Sequence, residues 1–183
     1  MTADPALRKK TVVLVGLMGV GKSSIGRRLA TVLDLPFHDA DDEIEIAAGR
    51  SVSDIFAERG EAEFRDGERR VIARLLDEPP MVLATGGGAF VNPDTRALIK
   101  RKAISIWLKA DVDVLVRRVG RKDSRPLLRG RDPRTVLQAL ALERYPAYAE
   151  ADLCVETGES PHHAALDAVV AALQRFVIGA PSA

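Results

Sequence analysis

The stretch Thr11-Val-Val-Leu-Val15 runs directly into Gly16-Leu-Met-Gly-Val-Gly21-Lys22-Ser23, and these residues decide the fold. The second part fits the pattern G-x-x-x-x-G-K-[ST], which forms a phosphate-binding loop where a strand precedes it and a helix follows. Glycines let successive backbone N–H groups converge on one anion, and the helix N-terminus adds partial positive charge. We therefore predict a nucleoside triphosphate site in which Lys22 meets the β- and γ-phosphates and Ser23 ligates Mg²⁺.

Short apolar runs alternate with longer amphipathic segments through the rest of the chain. Besides Thr11–Val15, the candidate strands are Leu35–His38, Met81–Thr85, Ala103–Leu108 and Asp152–Glu156. Capping side chains stand before prolines at Asn92-Pro93, Asp132-Pro133 and Ser160-Pro161. Further helices are expected at Gly21–Leu33, Ser51–Gly60 and Glu61–Leu76, and the last helix carries the core stripe Leu166, Val169, Val170 and Leu173. This alternation predicts one α/β domain with a parallel sheet of about five strands.

The composition excludes several classes of protein. The 183 residues carry 27 Lys and Arg against 26 Asp and Glu, and they include only one Trp, two Tyr and five Phe, which argues against a nucleic-acid partner. The single cysteine, Cys154, excludes an internal disulfide framework and a multi-cysteine zinc site. The apolar run 11–15 is too short for a secretory signal, and no stretch reaches the roughly 20 apolar residues of a membrane span. We expect a cytoplasmic protein with no membrane partner.

Acidic residues follow the second strand, where parallel sheets bind their ligands. Asp39 and Asp41 are expected to lie beside the phosphate-binding loop. One carboxylate would hold the metal through water, and the other would accept a proton from an attacking hydroxyl or orient it. Helix capping is the alternative role, and we prefer it for Asp42 and Glu43.

Three glycines, Gly86–Gly88, follow the third strand. A triplet in this place suits a ligand that presses against main-chain atoms, and a tight turn is the alternative. Arg65, which Glu68 could orient from one helical turn away, and Arg144 carry little independent signal. The segment Arg117–Arg134 holds eight basic and two acidic residues, which favours a lid that screens a triphosphate.

Together these residues resemble the shikimate kinase family, small P-loop enzymes related to the nucleoside-monophosphate kinases. The likeness extends from about Thr11 to the last helix and rests on Gly16–Ser23, Asp39-Ala-Asp41, Ile55-Phe, Gly60-Glu, Phe64-Arg65 with Glu68, Gly86–Gly88, Arg125-Pro-Leu-Leu, and Arg144 with Tyr148. It implies a single kinase domain over residues 1–183, with a core at about 11–178 and a three-layer α/β/α fold whose strands run in the order 2-3-1-4-5. It also implies a helical substrate-binding region at about 39–68, an arginine-rich lid at about 120–132, and a monomer.

The resemblance implies a reaction and a role for each matching residue. Phosphate from ATP, with Mg²⁺, would pass to the 3-hydroxyl of shikimate in the pathway to chorismate and aromatic amino acids. The nucleotide would be bound by Gly19, Val20, Gly21, Lys22, Ser23, Ser24, Arg118 and Arg125, with the turn at 158–161 beside adenine. Mg²⁺ would be held by Ser23, with Asp39 behind a water. Shikimate would be bound by Asp41, Arg65, Gly86, Gly87, Gly88 and Arg144. Catalysis would depend on Lys22, Asp41 and Arg125.

Other functions are less consistent with the sequence. A GTPase would carry D-x-x-G and N-K-x-D motifs, which are absent. A gluconate kinase would carry D-G-D-x-L-H-P and N-x-x-K-M elements, which are absent too. A nucleoside-monophosphate kinase has no obvious use for Gly86–Gly88. A non-catalytic nucleotide-binding module would be expected to have lost Lys22, Asp41 or one of the arginines.

Overall fold

Five parallel strands form one sheet in this computed structural model, which describes residues 5–119, 128, 130–158 and 162–179. The strands are β1 (Thr11–Val15), β2 (Phe37–Asp39), β3 (Val82–Ala84), β4 (Ala103–Lys109) and β5 (Leu153–Glu156). They pair in the order β2-β3-β1-β4-β5, so the predicted fold class and strand order are confirmed. The second strand starts two residues later than predicted, because the Leu35 amide donates to Ala30 and closes the preceding helix.

Helices surround the sheet and supply the outer layers. They are α1 (Lys22–Leu33), α2 (Ala40–Ala48), α3 (Val52–Leu75), α4 (Pro93–Lys102), α5 (Val112–Val119), α6 (Pro133–Tyr148) and α7 (His162–Gly179). The side chains of Ser51, Asn92 and Asp132 accept backbone N–H groups at the starts of α3, α4 and α6, as predicted. The predicted cap at Ser160-Pro161 and most of the predicted lid at 120–132 lie outside the described residues.

The core lies between the sheet and these helices. Every residue of β1 is buried, as expected for a central strand covered on both faces. From α7, the predicted stripe contributes Val169, Val170 and Leu173, each at most 2% exposed. Among the described residues, none of the helices combines the length and apolar character needed to cross a membrane.

Gly60 divides α3 into two arms. Its backbone angles are φ 79° and ψ 176°, outside the helical region, so the predicted end of a short helix at this glycine is confirmed. The second arm continues through Gly67 to Leu75, as predicted for a helix at Glu61–Leu76, although glycine lowers helix stability at this position. Buried residues on either side of Gly67, such as Phe64 and Val71, pack into the core and hold this arm helical.

Gly67→Ala is expected to stabilise the protein by about 0.5–1 kcal/mol, because alanine has the higher helix propensity and restricts the unfolded chain. A Cβ atom at this position would meet nothing within 4 Å. The free energy of unfolding in urea measures the effect. Gly60→Ala is the matched control and should destabilise, because its φ of 79° strains any residue with a Cβ. A loss of stability in Gly67→Ala would contradict the expectation.

Candidate active site

A cavity of about 590 Å³ opens where β1, β2 and β3 end. Of the candidate residues selected from the sequence, the ones that line it are Gly19, Gly21, Lys22, Ser23, Ser24, Asp39, Asp41, Arg65, Gly86, Gly87, Gly88, Arg118 and Arg144. The Val20 side chain packs into the core, 1% exposed, and is absent from the lining. Arg125 lies outside the described residues. The structure thus brings together residues from the loop after β1, the start of α2, α3, the loop after β3, α5 and α6.

The phosphate-binding loop leads from β1 into α1. Gly21 caps the helix in the left-handed region, with φ 98°, which a residue with a Cβ rarely adopts. The Lys22 ammonium donates to the carbonyl oxygens of Gly16 at 2.8 Å and Leu17 at 3.0 Å. The loop therefore presents backbone N–H groups, a helix N-terminus and one cation at the same end of the cavity, which is an anion-binding arrangement.

The Ser23 hydroxyl and the Asp39 carboxylate lie next to each other beside this loop. The Ser23 hydroxyl donates to Asp39 Oδ2 at 2.6 Å, and Asp39 Oδ1 accepts the Asp41 N–H at 3.1 Å. Asp39 therefore caps α2 and also lies next to the serine of the phosphate-binding loop. A hydroxyl and a carboxylate are hard oxygen ligands that suit Mg²⁺, which proteins usually hold with one or two side chains together with substrate phosphates.

Asp41 lines the cavity together with the acidic residues Asp39 and Glu68. Its pKa is raised from 3.8 to about 6, most of all by burial and then by the negative charges of Asp39 and Glu68, while Lys22 and Arg65 oppose the shift. A carboxylate with this pKa is ionised at neutral pH and takes up a proton more readily than an exposed aspartate. It suits a group that accepts a proton or orients a hydroxyl.

Arg65 lies on the second arm of α3 and forms ion pairs with two acids. Its guanidinium donates to Glu68 at 2.7 Å and to Glu61 at 3.2 Å, so the orienting role predicted for Glu68 has the required geometry. Glu68 is only 2% exposed, and its second oxygen, Oε1, has no hydrogen-bond partner. Burial raises the pKa of Glu68, against the opposing charge of Arg65. The unpartnered oxygen is buried against Gly86.

The glycine triplet is explained by close approach of side chains. A Cβ atom on Gly86 would lie 2.6 Å from Glu68 Oε1, and one on Gly87 would lie 2.8 Å from Arg144 Nη1. A Cβ on Gly88 would overlap the guanidinium of Arg65. None of the three has a positive φ, so the turn itself does not require glycine. The triplet is therefore the surface against which three charged side chains pack.

Arg144 extends from α6 toward the same surface. Arg144 is 5% exposed, and its Nε has no hydrogen-bond partner. No carboxylate in the described part of the chain forms an ion pair with it. Burial raises the pKa of Glu68 and the charge of Arg144 opposes this rise, but without a carboxylate at ion-pair distance a buried guanidinium is costly unless a ligand supplies one. Because Arg65 packs against the neighbouring glycine, the two arginines offer a paired site for a carboxylate.

Sequence reasoning missed the apolar side of the cavity. Val52, Phe56 and Phe64 line it, and the two phenylalanine rings lie 4.6 Å apart. The kink at Gly60 brings them together, since they belong to different arms of α3. The glycine between two amphipathic segments was the available signal, but it did not indicate which rings would meet.

Arg118, on α5, lines the cavity as well. It donates to the carbonyl oxygens of Val20 at 3.4 Å and Gly158 at 2.8 Å. Arg118 and Gly158 are thus in direct contact, and their place beside adenine stays a prediction. The rest of the predicted 158–161 turn lies outside the described residues.

A phosphate-binding loop at one end of a cavity and an acid with two arginines at the other define a P-loop kinase of small molecules. Residues 18–174 match the family model described as shikimate kinase. The chain is 72% identical to a shikimate kinase of Caulobacter vibrioides over 169 residues, which cover 92% of this chain and 84% of that protein. It is 53% identical to a shikimate kinase of Bradyrhizobium diazoefficiens, with 97% and 86% covered.

The chain belongs to the shikimate kinase family, and it is a phosphotransferase of the shikimate pathway. The solved structure of an Acinetobacter baumannii shikimate kinase in complex with shikimate is 35% identical, with a TM-score of 0.86 over 94% of this chain and 96% of that chain. A Sinorhizobium meliloti gluconokinase is 19% identical, with a TM-score of 0.65 over 92% and 94%, and so shares the fold alone. The predicted family is confirmed.

Proposed function

We propose that this chain transfers the γ-phosphate of ATP to the 3-hydroxyl of shikimate and releases ADP and shikimate 3-phosphate. The observation that carries the proposal is the pairing of buried Arg144 with Arg65 across the glycine triplet, in the same cavity as Lys22. A ring alcohol with a carboxylate fills both requirements of that end of the cavity. The Acinetobacter baumannii relative was solved with shikimate, which supports the same acceptor here.

The nucleotide end would act by neutralising charge. Backbone N–H groups of residues 19–24 bind the phosphates, and the Lys22 ammonium leaves the carbonyls of Gly16 and Leu17 to contact the β- and γ-phosphates. Ser23 and Asp39 are the residues that would hold Mg²⁺. When bound, this ion would neutralise charge on the phosphate oxygens.

The acceptor end would act by positioning. Arg65 and Arg144 hold the carboxylate of shikimate by charge-assisted hydrogen bonds, and the backbone at Gly87 contacts the ring hydroxyls. Asp41 accepts a hydrogen bond from the attacking hydroxyl and takes up its proton as the phosphoryl group transfers. The paired rings of Phe56 and Phe64 keep water from this end of the cavity.

The remaining assignments complete this proposal. Arg125, from a lid at about 120–132, would reach the transferring phosphoryl group, and Arg118 would lie against adenine. The substrate-binding region comprises residues 39–68 of a single kinase domain. The enzyme would act as a cytoplasmic monomer without nucleic-acid or membrane partners, which is consistent with its net charge of +1.

An ADP-release assay coupled to NADH oxidation tests the reaction. With ATP and Mg²⁺, we expect turnover with shikimate and none with gluconate or a nucleoside monophosphate, and we expect EDTA to abolish it. Phosphorus NMR of the product should show a phosphate monoester on a ring carbon. Turnover with gluconate and none with shikimate would overturn the proposed acceptor, and activity in excess EDTA would overturn the metal requirement.

A further inference from the structure

A tyrosine hydroxyl is buried beneath the acceptor end of the cavity. Tyr148 is the last residue of α6, and it is 1% exposed. Its hydroxyl donates to the carbonyl oxygen of Gly87, the middle residue of the glycine triplet. Burial raises the pKa of Tyr148 to about 12, so the group stays protonated and remains a donor across the working range of an enzyme.

The same oxygen lies beside Arg144, one helical turn earlier on α6. Around the position that a Cβ atom on Gly87 would take, Arg144 Nη1 lies at 2.8 Å and the Tyr148 oxygen at 3.4 Å. The charge and hydrogen bond of Arg144 act on the Tyr148 hydroxyl and oppose the rise of its pKa. Guanidinium, hydroxyl and carbonyl therefore lie together around Gly87, with the hydroxyl donating to the carbonyl and next to the guanidinium.

We propose that Tyr148 is a positioning residue that fixes Arg144 and the Gly87 backbone for the acceptor substrate. It lies behind both groups and does not line the cavity, so it acts on the acceptor through them. This inference rests on the proposed function, because it assigns Arg144 and Gly87 to the acceptor.

Without the hydroxyl, each of the two groups would lose its fixed place. Arg144 forms no ion pair within the described part of the chain, and its Nε is without a partner, so the Tyr148 hydroxyl is a polar neighbour that can fix the guanidinium. The Tyr148 ring itself is held independently, since its centroid lies 5.9 Å from that of Trp107 and 6.3 Å from that of Tyr145. Removing only the oxygen should leave the packing of α6 in place, but Arg144 and the Gly87 carbonyl would lose the hydroxyl between them.

Tyr148→Phe tests this inference through steady-state kinetics. We expect the KM for shikimate to rise about tenfold, the loss typical of a buried hydrogen bond to a charged group. The KM for ATP should stay unchanged, and kcat should fall less than about threefold, because the groups at the phosphates are untouched. A merely structural role would not single out the KM of one substrate.

Two control variants separate positioning from general loosening. Tyr145→Phe removes a hydroxyl from a partly exposed tyrosine on the same helix and should leave all kinetic constants unchanged. Ser105→Ala removes a hydroxyl on β4 that donates to Asp152 Oδ2 and accepts the Asp152 N–H, away from the cavity. It should lower stability, as Tyr148→Phe does, but leave the KM for shikimate unchanged. Urea unfolding of all three variants gives the stability comparison.

A double-mutant cycle with Arg144→Ala decides whether Tyr148 acts through that arginine. In the Arg144→Ala background, Tyr148→Phe should lower kcat/KM for shikimate by less than about threefold, because the group it positions is already gone. An undiminished effect in that background would overturn the inference, as would a single variant with wild-type KM for shikimate or with equal rises for both substrates. If the wild type itself fails to phosphorylate shikimate, the proposed function fails first, and the two failures are thereby distinguished.

Discussion

Asp41→Asn is expected to lower kcat with shikimate by about 10²–10⁴-fold, the range typical of a lost proton acceptor. Asparagine keeps the size of the side chain but cannot take up the proton of the attacking hydroxyl. The KM for ATP should change little, because the phosphate-binding loop and the Asp39–Ser23 pair are retained. The coupled assay measures both constants.

The same substitution should stabilise the protein when no ligand or metal is present. The pKa of Asp41 is raised from 3.8 to about 6, so its neutral form is favoured in the folded state. The stability that this group contributes is fully present below about pH 4 and is lost as the pH rises through 6. Asparagine remains neutral, so the gain in unfolding free energy should be near zero at pH 4 and on the order of 2–3 kcal/mol at pH 8.

Asp42→Asn provides the matched control for activity. Asp42 is the next residue along α2, is exposed, and does not line the cavity, so its replacement should leave kcat unchanged. Equal losses of kcat and of ATP affinity in Asp41→Asn would contradict the proton-acceptor role and indicate a metal ligand instead. If Asp41→Asn were less stable than wild type at pH 8, this would contradict the expectation that ionised Asp41 destabilises the folded protein.

The fold could be predicted from the sequence because its signals are local. The phosphate-binding loop is a contiguous motif, and the buried strands are continuous apolar runs between helix caps. The break at Gly60 followed from the same reasoning. At Gly67 helix propensity is a weak term, and buried neighbours such as Phe64 and Val71 keep the predicted helix continuous.

Site residues could be predicted where their chemical type indicates their role. They could not be predicted where the role depends on packing between segments that are distant in sequence. Asp39, Asp41 and Lys22 lie where strand ends place them. The reason for Gly86–Gly88 was only partly visible, because the side chains that press on these glycines come from α3 and α6, far away in sequence. The spacing of Arg144 and Tyr148 carries the resemblance, but it does not indicate that the buried hydroxyl meets a carbonyl 61 residues away.

Arg144→Ala is expected to lower kcat/KM for shikimate by roughly 30–1000-fold, equivalent to about 2–4 kcal/mol of transition-state stabilisation, without lowering the stability of the ligand-free protein. The guanidinium is buried without an ion-pair partner in the described part of the chain, so the folded protein carries its desolvation cost until a carboxylate binds. Arg144→Lys keeps the charge but loses the fork, and it should fall between wild type and Arg144→Ala.

Arg65→Ala makes the comparison decisive, because it should cost a similar factor in kcat/KM and also lower stability. Arg65 pairs with Glu68 at 2.7 Å, and its loss leaves a carboxylate that is 2% exposed without its cation, at a cost on the order of 1–3 kcal/mol. Unfolding in urea and kinetics with shikimate separate the two arginines. Wild-type kinetics in both variants would place the acceptor carboxylate elsewhere, whereas equal losses of stability would show that Arg144 has a counter-ion inside the protein.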